Sequence, residues 1–204
     1  MSIREIRDGE VFGPDCTVCG AATTKGECLS CGTKAPVVIE AVFDGCCEPR
    51  NPGGHAAFGS LVCVNGEIVY RNSGYCGFGL GMSNNVAEFS GALDALTEAV
   101  KHNGRINLRG DSRLVIMLVG PDSSSRFGNE RWESHGGAYV PYYHRCLELV
   151  NAHRHRMTFT WVPREKNADC DELSKQILID RGIKFKIQPL EGGNASPIRS
   201  HLIR

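Results

Sequence analysis

Residues 37–75 read VVIEAVFDGCCEPRNPGGHAAFGSLVCVNGEIVYRNSGY. The apolar run 37–43 has the character of a buried central strand and ends at Asp44-Gly45. Residues 56–64 and 67–75 flank Asn65-Gly66, a two-residue signal for a tight hairpin. Three strands in succession therefore open the domain.

Downstream the period changes. Ser83 caps a predicted helix over residues 84–101, in which Val86, Phe89, Leu93, Leu96 and Val100 recur at helical spacing and Asn103-Gly104 marks the end. A strand over 105–109 stops at Gly110-Asp111, and a helix follows over 112–119. Residues 120–138 read as a connection, 139–152 as a helix, 157–162 (MTFTWV) as a strand and 167–181 as a helix. The order β-β-β-α-β-α-α-β-α predicts an α/β fold, a five-stranded mixed sheet flanked by helices. Its domain is expected over residues 35–182, with a C-terminal extension over 183–204.

Upstream, residues 1–34 hold too little apolar content to fold unaided. They contain Cys16-Thr17-Val18-Cys19-Gly20 and Cys28-Leu29-Ser30-Cys31-Gly32. Each pair with its trailing Gly fits a knuckle that turns two thiolates onto one ion. One tetrahedral Zn2+ on Cys16, Cys19, Cys28 and Cys31 satisfies both pairs, and a segment this short needs such a staple. A structural zinc ribbon is the expectation, with two disulfides as the alternative.

The chain has 204 residues, 41% hydrophobic and 23% charged, which suits one ordinary domain with a small appendage and excludes a disordered tail. It has no membrane-spanning run, and its charged start is unlike a secretory signal, so a cytoplasmic protein is expected. Lys plus Arg balance Asp plus Glu at 23 each, which taken alone argues against a nucleic-acid partner. The balance conceals an asymmetry, because the first 101 residues carry −5 and the rest +5. Of the ten cysteines, Cys63, Cys76, Cys146 and Cys170 lack paired spacing and read as small buried hydrophobes.

Three acids stand where sites in such sheets are built: Asp44 and Asp111 at strand ends, and Glu88 one turn into a helix. Singly, each can be a turn former or a dipole-compensating charge. Together with their neighbours they resemble type 1 ribonuclease H. The resemblance rests on Asp44-Gly45, Asn51-Pro52-Gly53-Gly54, Ala57-Phe58-Gly59, Ser83-Asn84-Asn85-Val86-Ala87-Glu88, Asp111-Ser112, Trp161-Val162-Pro163 and the block 167–174, NADCDELS, all in family order.

That resemblance implies an endonuclease in which four carboxylates hold two Mg2+ (or Mn2+) and the RNA strand of an RNA/DNA hybrid is cleaved. By position the four are Asp44, Glu88, Asp111 and Asp171. Asp169 would point ~200° away from Asp171 on a helix. The resemblance also assigns hybrid contacts to Asn51, Gly53, Gly54, Ser83, Asn84, Asn85 and Ser112, and a monomer is expected. Two departures stand out. Only Arg164-Glu165-Lys166 lies where many relatives carry a histidine loop, and residues 120–138 are not a basic handle, which leaves the ribbon to supply grip. A catalytically inactive hybrid- or RNA-binding module is the alternative, against which four intact acids argue. A transposase or integrase would end its acid set on Glu, whereas here the Glu comes second.

Overall fold

A computed structural model describes residues 37–120 and 136–186, together with the backbone of three two-residue strands nearer the N-terminus. Those strands, β1 (Phe12–Gly13), β2 (Thr23–Thr24) and β3 (Glu27–Cys28), pair antiparallel in the order β1-β2-β3. The proposed zinc ligands lie outside the residues whose side chains are described.

The main sheet has five strands in the order β6-β5-β4-β7-β8. Strands β4 (Val38–Glu48), β5 (His55–Val64) and β6 (Glu67–Phe78) form an antiparallel meander. The β5–β6 turn is the expected one. Asn65 and Gly66 both have positive φ, 52° and 87°, as a type I′ turn requires, and Asn65 Oδ1 accepts a hydrogen bond from Val38 N (3.0 Å). Parallel strands β7 (Arg105–Gly110) and β8 (Met157–Trp161) complete the sheet on the other side of β4.

Helices α1 (Asn84–Ala99), α2 (Arg113–Val119) and α3 (Val140–His153) cover one face, where Ile39, Phe43, Phe89, Leu96, Ile106 and Leu108 build the main core. Helix α4 (Ala168–Asp180) lies on the other face and seats Cys170 on Val42 and Leu61, and Leu178 on Cys46 and Ala57. Asp94 ties α1 to the sheet's meander edge, accepting from Ser60 Oγ (2.5 Å), Tyr70 OH (3.2 Å) and Asn72 Nδ2 (3.1 Å). None of the described helices is long and apolar enough to cross a membrane.

Two boundaries correct the expectation. The first strand does not end before Asp44 but continues to Glu48, because pairing with β5 persists through Asp44↔Gly59 to Glu48↔His55. The third strand reaches Phe78 rather than residue 75, across a register shift opposite Ala56/Ala57. The chain also stays packed beyond α4, with Phe185 buried against Cys46, Ala57 and Leu178.

Gly45 sets how closely α1 approaches β4. A Cβ there would stand 2.4 Å from Glu88 N and 2.6 Å from the Ala87 carbonyl carbon, both backbone atoms that cannot rotate away. Gly45→Ala is therefore expected to cost about 1–3 kcal/mol through overpacking. Urea unfolding checks this, and a midpoint equal to wild type would refute so tight a contact.

Candidate active site

Helix α1 begins at Asn84, where Ser83 Oγ accepts from Val86 N (3.3 Å) and caps it. One turn on, Glu88 points down to the sheet. Asp44 comes from β4 and Asp111 from the residue after β7, the neighbouring parallel strand. Each of the three offers a carboxylate oxygen, and these oxygens lie within 4.8 Å of one another. Asp44 is 3% exposed and Glu88 5%.

Such proximity is costly without a counter-charge. Burial, with the charges of Asp111 and Asp171 adding to it, raises the Asp44 carboxyl from its ordinary value to about 8. Burial, then Asp44 and Asp111, drives Glu88 well above the usual carboxylate range. Asp44 Oδ2 and Glu88 Oε2 are buried without any hydrogen-bond partner. Orphaned, convergent, all-oxygen donors are compatible with a hard divalent cation. The neighbouring thiol of Cys46 does not compete, since burial pushes it up to about 12 and it donates to Ser174 O (3.3 Å).

The remaining acid behaves differently. Asp171 lies on α4, outside the group of three, and is held by Arg164 Nη2 (2.6 Å) and Lys175 Nζ (2.5 Å). Its charge still reaches Asp44. Arg164 belongs to the short 3-10 turn Arg164–Lys166, and its guanidinium donates to Asp171 and feels the charges of Asp171, Asp44 and Asp111. Lys166 O accepts from Arg109 Nη2 (2.9 Å), and Arg109 in turn pairs with Glu40 (3.5 Å), so the turn is fastened to the sheet.

Asn167 is a residue to which the sequence reading gave no role. Buried at the start of α4, its Nδ2 donates to Phe43 O (2.8 Å) and to Asp111 Oδ1 (3.0 Å), linking the last helix, the central strand and one acid. Its place in the NADCDELS block was the signal that could have found it. Trp161 Nε1 donates to Asp111 O (2.9 Å) and steadies the same acid from β8.

The expected hybrid-contacting residues gather beside the acids. Asn51 Oδ1 accepts from Asn84 N (3.0 Å), Gly53 N donates to Met82 O (2.8 Å), and Asn84 Nδ2 donates to Glu88 Oε1 (3.2 Å). Gly54 is buried against the Glu48 and Arg50 carbonyls, and Asn85 is exposed. Ser112 caps α2 by accepting from Val115 N (3.5 Å).

No protein-family profile matches the chain. Solved structures do. The N-terminal ribonuclease H domain of a Mycobacterium tuberculosis protein, solved as a fusion with maltose-binding protein, aligns with a TM-score of 0.60 and 24% identity, over 72% of this chain and 96% of that one. Ribonuclease H1 of the halophilic archaeon Halobacterium salinarum aligns at 0.57 and 29% identity, over 70% and 98%. LC11 ribonuclease H1, solved in complex with an RNA/DNA hybrid, aligns at 0.56 and 22% identity, over 72% and 98%. The chain has the ribonuclease H fold.

The raised Asp44 value fixes the sign of a pH effect. From the ordinary carboxylate range up to about 8, the folded protein keeps a proton that the unfolded chain has released. Stability without metal therefore falls as pH rises through that window. Thermal melts in chelator are expected to give a lower Tm near pH 8 than near pH 5. Mg2+ should narrow the gap and Asp44→Asn should reduce it, leaving the part that the buried Glu88 contributes; parallel wild-type and Asp44→Asn profiles would contradict the assignment.

Proposed function

We propose that this protein is a metal-dependent endonuclease that hydrolyses the RNA strand of RNA/DNA hybrids. The observation that carries the reading is the convergence of Asp44, Glu88 and Asp111, with two buried partnerless oxygens, on a ribonuclease H fold. A protein of the same fold, LC11 ribonuclease H1, has been solved in complex with such a hybrid. Three convergent carboxylates, two of them buried, fit this chemistry better than they fit a pure binding module, which gains nothing by packing like charges together.

Two Mg2+ or Mn2+ bound here would supply an activated water on one side of the scissile phosphate and stabilise the leaving 3′ oxygen on the other. Asp44, Glu88 and Asp111 would hold them, with Asp171 completing the set from the facing helix. Asn167 and Trp161 fix Asp111, and the Asn84 amide turns Glu88 toward Asp44. Arg164 places a side-chain cation beside the acids, where the phosphodiester charge must be accommodated. Asn51, Gly53, Gly54, Ser83, Asn84, Asn85 and Ser112 would meet the hybrid's backbone and its 2′-hydroxyls, the groups that distinguish RNA from DNA.

Incubation with labelled hybrid, duplex DNA and duplex RNA in Mg2+ or Mn2+ is expected to yield cleavage of the hybrid's RNA strand alone. Asp44→Asn should lower the rate by about 100-fold or more, the scale of losing one transition-state charge stabiliser. Equal rates for wild type and Asp44→Asn would sink the reading. Tight hybrid binding with no turnover would favour the inactive module.

For residues 1–34 we propose one structural Zn2+ on Cys16, Cys19, Cys28 and Cys31, with a part in holding substrate. Deleting residues 1–34 is expected to raise KM more than it lowers kcat. Less than one zinc per chain by atomic absorption, or an unchanged KM, would remove that role.

A further inference from the structure

Between the third strand and α1 the chain runs Gly77-Phe78-Gly79-Leu80-Gly81. Phe78 is 62% exposed, and Leu80 is exposed in full. This is not a slack loop carrying stray hydrophobes. Its root is fastened by Gly79 N to Gly54 O (3.2 Å), Met82 N to Gly79 O (3.0 Å) and Gly53 N to Met82 O (2.8 Å). Phe78 also has a rigid backing. The His55 ring stacks on it at 4.3 Å with 28° between planes, His55 Nδ1 meets Tyr75 OH at 2.7 Å, and the Arg181 guanidinium lies 4.1 Å over the Tyr75 ring.

Basic residues sit on the segments that pack beside these rings. Arg50 Nη2 donates to Gly53 O (3.1 Å) at the loop's root. Past α4, the exposed Lys184 and Lys186 flank Phe185, and Lys186 N donates to Glu48 Oε2 (3.1 Å), Glu48 being the register partner of His55. A supported aromatic ring with an open side, an aliphatic tip beside it and positive charge around both is the composition that binds single-stranded nucleic acid. Bases stack on the ring irrespective of sequence, and the cations follow the phosphates. A continuous duplex keeps its base faces covered, so it cannot use such a platform except where pairing ends.

We propose that Phe78 and Leu80, with His55, Tyr75 and the Arg50, Arg181, Lys184 and Lys186 cations, form a subsite for an unpaired nucleotide extension of the hybrid. The subsite adjoins Asn51, Gly53, Gly54 and Ser83, so a strand leaving the paired region reaches it directly. This inference rests on the hybrid-cleaving reading and adds to it a preference for junctions between hybrid and single strand over blunt hybrid.

The experiment compares kcat/KM on hybrids of one duplex sequence, blunt or extended by several unpaired nucleotides at each end in turn. Wild type is expected to favour one extended form by about tenfold, carried by KM, as loss of one base stack would predict. That ratio should fall to one in Phe78→Ala and drop in Leu80→Ser. It should persist in Phe78→Tyr and in Val69→Ser, which alters an exposed hydrophobe elsewhere on the same strand. Equal wild-type values on blunt and extended hybrids overturn the subsite and leave the nuclease intact. If no hybrid is cleaved, the nuclease reading fails and the subsite is read directly: a single-stranded oligonucleotide should quench the added indole of Phe78→Trp, and absence of quenching overturns it.

Discussion

The site depends on how closely two helices approach one pair of strands. Gly45 on β4 admits the start of α1 to one face, and Gly59 on β5 admits α4 to the other, where a Cβ would stand 2.4 Å from Cys170 O. Gly59 is also the register partner of Asp44. Without side chains at these positions, backbone meets backbone at the level of Asp44, and Glu88 and Asp171 are delivered from opposite faces to the same sheet end. A side chain at either glycine would hold its helix off by about the thickness of a methyl group, more than a metal-ligand distance can absorb.

The acids so gathered are balanced in two ways. Asp171 has internal counter-charges in Arg164 and Lys175. Asp44 and Glu88 each leave an oxygen without a partner, and burial removes water as the alternative. The fold therefore keeps the central pair in a state that suits protons at low pH and cations at higher pH. Asn167 limits this freedom at Asp111 by fixing one of its oxygens.

Much of this was legible in the sequence. The Asn65-Gly66 turn gave the hairpin, and the 3.6 period from Val86 to Leu96 gave α1. The acids Asp44 and Asp111 read as following the first and fourth strands, and the sheet makes those strands parallel neighbours, β4 and β7. Strand ends were less legible: Asp44-Gly45 looks like a terminating turn, yet its backbone stays paired because Gly45 is required by α1 rather than by a turn. Arg164 had no role in the sequence reading, since nothing in Pro163-Arg164-Glu165-Lys166 reveals a guanidinium on Asp171 seven residues ahead. His55, Tyr75 and Phe78 were equally opaque, because the bulge opposite Ala56/Ala57 sets their alignment and leaves no mark in a period-two pattern.

Net charge has to be read against this geometry. Zero over the whole chain argues against a polyanionic partner only if every charge faces solvent. Here the central acids are turned inward, and Asp171 is covered by Arg164 and Lys175. At the edge of the same fold lie Arg50, Arg181, Lys184 and Lys186, with Glu48 accepting from Lys186 N and the exposed Asp180 preceding Arg181. The formal count averages a buried anionic centre with a cationic margin. Under the proposed function, a phosphodiester strand would meet the margin first, and the buried acids would oppose it only until cations occupied them. On that reading, affinity for nucleic acid and occupancy by metal would be two readings of one charge distribution.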